Sequence, residues 1–536
     1  MDRIRSVSPS RPLLLLVVAL VVAALEACSD DGSGGTGAGA NGGSGASTGA
    51  TGGGGQGGQG GSASSEICDN GLDDDGDGAT DCTDRDCALA PGCPPWCEAA
   101  PGAHCYYVDA ANGDDANDGS FASPFRSYLN LVTYYGTPGE QGSTAPPATA
   151  VGLQPGDAIY LMSGTYADTF NYQGAIKAFF VRGLTGDATH WFRLEAYPGE
   201  QAAIAPNAQA PGIELAQSSY WHLREIEIHD AWQRGVSVSE TDQATVERCL
   251  VHDVDGVDND NIAGVYLVGA TNVLVTGCTI HDNYDRTAAD TGGAATENSS
   301  NVVAFGGGNI TVSGSHVYNT LGIADDKLGG CIKYKHMRTL DGGTFVVSHN
   351  RLENCQFFSV GTGSPDSTIE GNLVIDSAPF SLRNFGGPTA LTDIRMRYNT
   401  EVRTSALSLT PDDEGAWVPL AGIEFSGNVA VDDETSYNTD RAMVRIGSYG
   451  SDAQYAIATA PGVLTFGDNC YFNAATTLEF DLFGSDSFGT TGALYDLPGW
   501  QALGYDQGSY DEDPGFDANS VPTSSHCVGR GYTAAP

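Results

Sequence analysis

Two short alternations of apolar and polar residues, joined at a fourth position that is usually polar, recur through the chain. The unit appears as Leu223-Arg224-Glu225-Ile226-Glu227-Ile228-His229-Asp230, Val246-Glu247-Arg248-Cys249-Leu250-Val251-His252-Asp253 and Val275-Thr276-Gly277-Cys278-Thr279-Ile280-His281-Asp282. Six further units open at Val312, Val347, Ile369, Met396, Phe425 and Phe466, and successive starts lie 23, 29, 37, 35, 22, 27, 29 and 41 residues apart. Side chains alternate across a strand, so each alternation predicts a short strand with one buried face, and the fourth position predicts a bend between two of them. A third alternation precedes the units, as in Val265-Tyr266-Leu267, Ile332-Lys333-Tyr334, Phe380-Ser381-Leu382 and Val444-Arg445-Ile446. A repeat of this length with variable insertions predicts an all-β solenoid with three strands per coil. From Asn350 the fourth position is Asn five times running (Asn350, Asn372, Asn399, Asn428, Asn469), which predicts a ladder of side-chain hydrogen bonds along the stack. Cys249 and Cys278 hold that position in successive coils, ~4.8 Å apart, either bonded or stacked. His229, His252 and His281 recur at one register position and predict a packed stack rather than a catalytic group.

Over roughly residues 105–530 this repeat resembles the right-handed parallel β-helix of pectate-lyase-like proteins. Both ends carry the resemblance. Tyr106-Tyr107-Val108-Asp109, then Leu153-Gln154-Pro155-Gly156-Asp157 and Ser163-Gly164-Thr165-Tyr166, look like the opening of secreted members, and Trp500 with Asp513-Pro514-Gly515-Phe516 looks like their closing segment. Caps are needed there, because exposed strand edges invite pairing with other chains.

The first hundred residues have a different character. Arg3, Arg5 and Arg11 precede an apolar run at 13–25, too short to span a bilayer and of signal-peptide length. The run ends Leu25-Glu26-Ala27-Cys28, which resembles a bacterial lipobox and makes Cys28 the expected lipidation site, with Glu26 a departure from the usual small residue. Residues 1–27 are read as the signal peptide and residues 28–65, almost wholly Gly, Ser, Ala and Thr, as a flexible tether. Export as an outer-membrane lipoprotein or extracellular protein follows, with membrane contact only through the lipid.

Residues 66–104 form a Cys- and Asp-rich module with too little apolar content to fold without disulfides. Counted as a twelve-residue calcium loop from Asp73, positions one, three, five and nine are Asp73, Asp75, Asp77 and Asp81, Gly78 is sixth, and Asp84 is twelfth, where a longer Glu is usual. The run also resembles the Cys-rich metal-binding motif repeated in secreted myxobacterial proteins. Calcium is the expected cofactor.

Composition sharpens the choice of partner. With 24 basic and 67 acidic residues the formal charge is −43, which excludes nucleic acid and anionic lipid surfaces as partners. Yet three of the four lysines, Lys327, Lys333 and Lys335, fall within nine positions. Alternation turns Lys333 and Lys335 outward. Aligning coils places Ser359, Ser381, Ser408 and Arg445 with Lys333, and Gly361, Arg383 and Thr410 with Lys335. Lys335 and Arg383 should then share a face. Such a patch suits acidic polysaccharide or cell-surface matrix, bound by a monomer, and two activities compete. One is calcium-assisted β-elimination from a uronate, with Lys333 or Lys335 as base, Arg383 beside them, His336, Lys327 and Tyr266 on the rim, and Asp255, Asp258 and Asp260 as further calcium ligands. The other is non-catalytic binding; hydrolysis, with only Asp325 and Asp326 in support, stands third. The run Gly330-Cys331-Ile332-Lys333-Tyr334-Lys335 resembles the catalytic-lysine strand of the chondroitinase and alginate lyase branch, but Gly330 stands where that branch has a Glu metal ligand and Gly361 where it has Arg.

Overall fold

In a computed structural model of the 536-residue chain, the structure describes residues 66–75, 79–135, 139–256, 261–284, 299–320, 329–339, 343–360, 366–383, 391–410, 420–433, 442–446, 462–482 and 493–533. Ala63–Pro536 forms one compact unit. No helix among the described residues is long and apolar enough to cross a membrane.

The alternations are strands, stacked in parallel into a 22-stranded and a 12-stranded sheet. Among the described residues only two pairings between named strands are antiparallel: Phe170–Tyr172 with Ala175–Lys177, and Phe480–Leu482 with Ala493–Tyr495. Each coil has three strands, as the pattern predicts. Ala263–Thr276 and Ser300–Ser313 run unbroken through a corner, which merges two of the three faces into the larger sheet. Left-handed residues make that corner, Gly269 and Asn272 in one strand and Gly306 and Gly307 in the next.

The bend ahead of the fourth position has its own rule, which hydrophobic patterning does not register. The third residue of every unit is left-handed, from Glu225 and Arg248 through Gly277, Gly314, His349, Gly371, Tyr398 and Gly427 to Asp468. Large side chains there lie over a glycine of the next coil. A Cβ on Gly371 would come within 3.1 Å of the His349 imidazole, and one on Gly427 within 2.7 Å of the Tyr398 ring.

Just after this bend the asparagines form the expected ladder. Asn399 Oδ1 accepts the Asn372 amide N–H at 3.0 Å and its Nδ2 at 2.9 Å, while Asn399 Nδ2 donates to Ile369 O at 2.9 Å and Asn428 Oδ1 at 3.1 Å. All five asparagines are fully buried. Asp506 closes the column, accepting from Asn469 Nδ2, Tyr471 OH, Ser509 Oγ and Trp500 Nε1 at 2.7–3.0 Å. Because Asn399→Ala strands two donors of Asn372 without an acceptor, we expect it to cost about 2–4 kcal/mol, read as a lower denaturant midpoint at unchanged slope.

The interior is built from columns of like residues. One runs Ile228, Val251, Ile280, Val317, Leu352, Val374, Glu401, Ala430, Tyr471, each in register with the next. Every member is at most 2% exposed, Glu401 included. Disulfides Cys68–Cys87, Cys82–Cys93 and Cys97–Cys105 hold the Cys-rich stretch, whose regular structure is two single-turn helices, Asp81–Thr83 and Arg85–Cys87. Cys331–Cys355 and Cys470–Cys527 tie the solenoid.

Candidate functional site

The Cys-rich stretch packs on the outside of the first coils. Tyr107, Tyr160 and Tyr197 form a small core there with Ala88 and Trp96. Their hydroxyls bond its backbone: Trp96 N–H donates to Tyr197 OH, Glu98 N–H donates to Tyr160 OH, and Tyr107 OH donates to Trp96 O, at 2.6–2.9 Å. Arg85 reaches into the β-helix, donating to Glu195 at 2.9 Å, Ala196 O at 3.0 Å and Glu225 at 2.7 Å. The Glu195 side chain is fully buried and also meets Arg193 at 3.2 Å. Burial opposes ionisation of Glu225, but Arg85, Arg248 and Arg224 outweigh it and hold the carboxyl below its ordinary value. A hydrogen bond from His222, opposed by burial and helped by Arg224, lowers Glu247 to about 2.

Two carboxylate groups in this stretch are close enough to share a cation: Glu66 with Asp73 and Asp75, and Asp75 with Asp84 and Asp86. The oxygen-only donor set fits a hard cation such as calcium. Spacing alone missed Glu66 and Asp86, which lie outside the ligand positions of the loop count; Glu66 is held to the loop by the Asp74 and Asp81 amides at 2.8 and 2.9 Å. Asp81 belongs to neither group; its carboxylate accepts the Asn70 and Gly71 amides at 2.9–3.1 Å.

On the outer face of the larger sheet, backbone register aligns Tyr266, Val303, Lys333, Phe358, Ser381, Ser408 and Arg445. An extra residue between Gly330 and Lys333 shifts the strand, so Phe358 rather than Ser359 pairs with Lys333, and Val360 rather than Gly361 with Lys335. Lys335, Val360, Arg383 and Thr410 make the neighbouring column.

Lys333 corrects an expectation. It lies opposite Ile332 and Tyr334, as alternation requires, but it is 0% exposed rather than presented to solvent. Its stem folds back over Gly330, where any Cβ would overlap Cγ, Cδ and Cε. A Glu at 330, the ligand of the lyase branch, would collide with this lysine. Tyr266 is also nearly buried, at 9% exposure, under the Arg234 guanidinium 4.1 Å from its ring centroid and beside Phe305 at 5.9 Å.

His229, His252, His281 and Tyr318 stack with centroids 5.4, 5.0 and 4.5 Å apart on the outside of the smaller sheet. Each histidine Nδ1 meets the following aspartate, Asp230, Asp253 or Asp282, at 2.6–2.8 Å. Burial disfavours the charged form of His252, but Asp253 and Glu227 outweigh it and raise the imidazole above its ordinary value.

Asp255 sits at the corner before Ala263–Thr276, its amide bonded to Ala231 O and its carbonyl to the Gln233 amide. Cys28, Asp77, Asp258, Asp260, Asp325, Asp326 and Lys327 lie outside the described residues, as do the side chains of Lys335, His336 and Arg383.

Residues 106–314 match the family model for the Pel9A-like, right handed beta helix region. Among solved structures the chain is similar to pectate lyase Pel9A at 13% identity, covering 58% of this chain and 78% of that one, with TM-score 0.39. It is similar to XylC in complex with xylose at 9% identity, covering 77% and 87%, TM-score 0.38, and to PfbA, a surface adhesin of Streptococcus pneumoniae, at 13% identity, covering 61% and 81%, TM-score 0.35. No curated protein matches the chain. With its parallel coils, the chain is a right-handed parallel β-helix, similar over residues 106–314 to the Pel9A-like family.

Proposed function

We propose that the chain is an exported β-helix protein that binds acidic polysaccharide on the outer face of its larger sheet. The observation that carries this reading is the register of Lys335, Val360 and Arg383. It puts two cationic residues two coils apart, about 10 Å, within reach of carboxylates repeating along a uronate chain. In a protein of charge −43 that column is a local exception to general repulsion of anions. Ten disulfide-bonded cysteines support an oxidising compartment, and attachment through a lipid on Cys28 is part of the reading. Calcium belongs to the Cys-rich module, with Glu66, Asp73, Asp75, Asp84 and Asp86 as its oxygen donors.

Calcium-assisted β-elimination is the second reading. Burial of Lys333 leaves Lys335 as its base, since a base must reach the proton it removes. Pectate, alginate and chondroitin, each incubated with the full chain and calcium, separate the two by affinity electrophoresis and by the ultraviolet absorbance of unsaturated uronate. Retarded migration without an absorbance rise, weakened about tenfold (about 1.4 kcal/mol) in Lys335→Ala/Arg383→Ala, is the expected result. An absorbance rise that vanishes in Lys335→Ala establishes the second reading. Unchanged binding in the double variant removes the column from both.

A further inference from the structure

Ahead of its asparagines, the column that carries the ladder runs Ile226, Cys249, Cys278 and Ser315. Cys249 and Cys278 are each 1% exposed and belong to the main core. Flanking register pairs Glu247 with Thr276 and Leu250 with Thr279, and the Thr279 amide donates to Cys249 O at 2.9 Å. Both are thiols in the structure. Cys278 Sγ lies 3.4 Å from Val246 O, the place that the Asn350 and Asn372 side-chain amides take at Val312 O and Val347 O. Cys278 is therefore a rung of the same ladder in which a thiol replaces an amide, and Cys249, at the same position one coil earlier, turns its thiol to Glu247 O at 3.4 Å. A thiol is a weak donor, so the two coils lack the hold that asparagine gives the later ones.

We propose that Cys249 and Cys278 oxidise in the exported chain to a disulfide that clamps these two neighbouring coils. Residues in register on parallel strands have Cα atoms ~4.8 Å apart, inside the roughly 4.4–6.8 Å that disulfides span. The solenoid already contains such a bond: Cys331 and Cys355, on neighbouring coils and fully buried, are joined with Cα atoms 5.2 Å apart. All ten other described cysteines are bonded, so this pair stands alone among them.

The oxidant is a disulfide, either a small-molecule one or that of an exported thiol oxidase. One cysteine sulfur attacks it as thiolate, forming a mixed disulfide and releasing one thiol. The second cysteine loses its proton and attacks the mixed disulfide at the first cysteine's sulfur, closing the bond and releasing a second thiol. Two protein thiols are oxidised and one oxidant disulfide is reduced. Both sulfurs are shielded once the coils close, so the exchange belongs to folding.

The test uses the full chain purified from an oxidising compartment, unfolded in guanidinium without reductant, alkylated and digested. Neither Cys249 nor Cys278 should take label, and one linked peptide pair should appear two hydrogen masses below the sum of its parts. The same sample reduced before alkylation should label both cysteines. Label on both without prior reduction, or linkage of either to a different cysteine, overturns the proposal.

Discussion

Arg85→Ala is expected to lower the stability of the folded chain by about 1.5–3 kcal/mol, because it removes a charged hydrogen bond from the fully buried Glu195 carboxylate and leaves Arg193 to hold it. The loss should show as a lower denaturant midpoint and as faster amide exchange across residues 85–99, the segment that covers the tyrosine cluster. Arg85→Met keeps the packing of the side-chain stem but still removes the hydrogen bond to Glu195, so it should behave nearly as badly. Adding Glu195→Gln to Arg85→Met should recover part of the loss, since the cost lies in a buried charge left with one partner fewer. Additive effects in that cycle would reject the pairing as the cause. Acid should act at the same place. Glu225 and Glu247 are held below their ordinary values, so their contribution is complete above the ordinary carboxylate range and falls away as pH drops toward the folded values, about 2 for Glu247. Amide exchange over residues 85–99 at falling pH checks this.

Glu401 is expected to work in the opposite direction. It stands in an aliphatic column between Val374 and Ala430, and neither carboxylate oxygen has a hydrogen-bond partner among the described residues. Burial raises its carboxyl well above the ordinary value. Below that ordinary value Glu401 is neutral in both folded and unfolded chains and carries no charge penalty. As pH rises from the ordinary to the folded value, only the unfolded chain releases the proton, so stability falls by about 1.4 kcal/mol per pH unit. Glu401→Gln should abolish that slope, and Glu401→Leu should abolish it and add about 1–3 kcal/mol by removing an unsatisfied polar group. Unfolding free energies of the three proteins from pH 4 to 8 provide the measurement, and parallel pH curves for the unsubstituted chain and Glu401→Gln would dismiss this account. Tyr471, one coil beyond Ala430, and Asp506, bonded to its hydroxyl, lie in the same stretch of interior, and burial raises both.

The repeat was legible because burial in a solenoid is periodic. Alternation sorts side chains in or out along each strand, and stacking adds a like residue to the same column in every coil, so Asn350 to Asn469 announce their ladder without coordinates. The histidine stack follows the same logic. Glu401 breaks it: an acid at an inward position looks like an ordinary surface residue to anyone counting charges. The left-handed third position also escaped, since it is filled by Glu, Arg, Gly, His, Tyr and Asp alike.

Sequence alone therefore determined the solenoid, its three strands per coil and the ladder, because these depend on each residue's position within a repeat. Only the tertiary structure decided what each position is worth. A single extra residue ahead of Lys333 moved the partner of Lys335 from Gly361 to Val360. The absent side chain at Gly330 let Lys333 fold back into burial, where outward alternation had put it in solvent. Folding of the Cys-rich stretch brought Glu66 and Asp86 to Asp75, with the Asp74 and Asp81 amides holding Glu66, and Arg85 bound the acidic module to the β-helix. Those outcomes depend on neighbours distant in sequence, which periodicity does not encode.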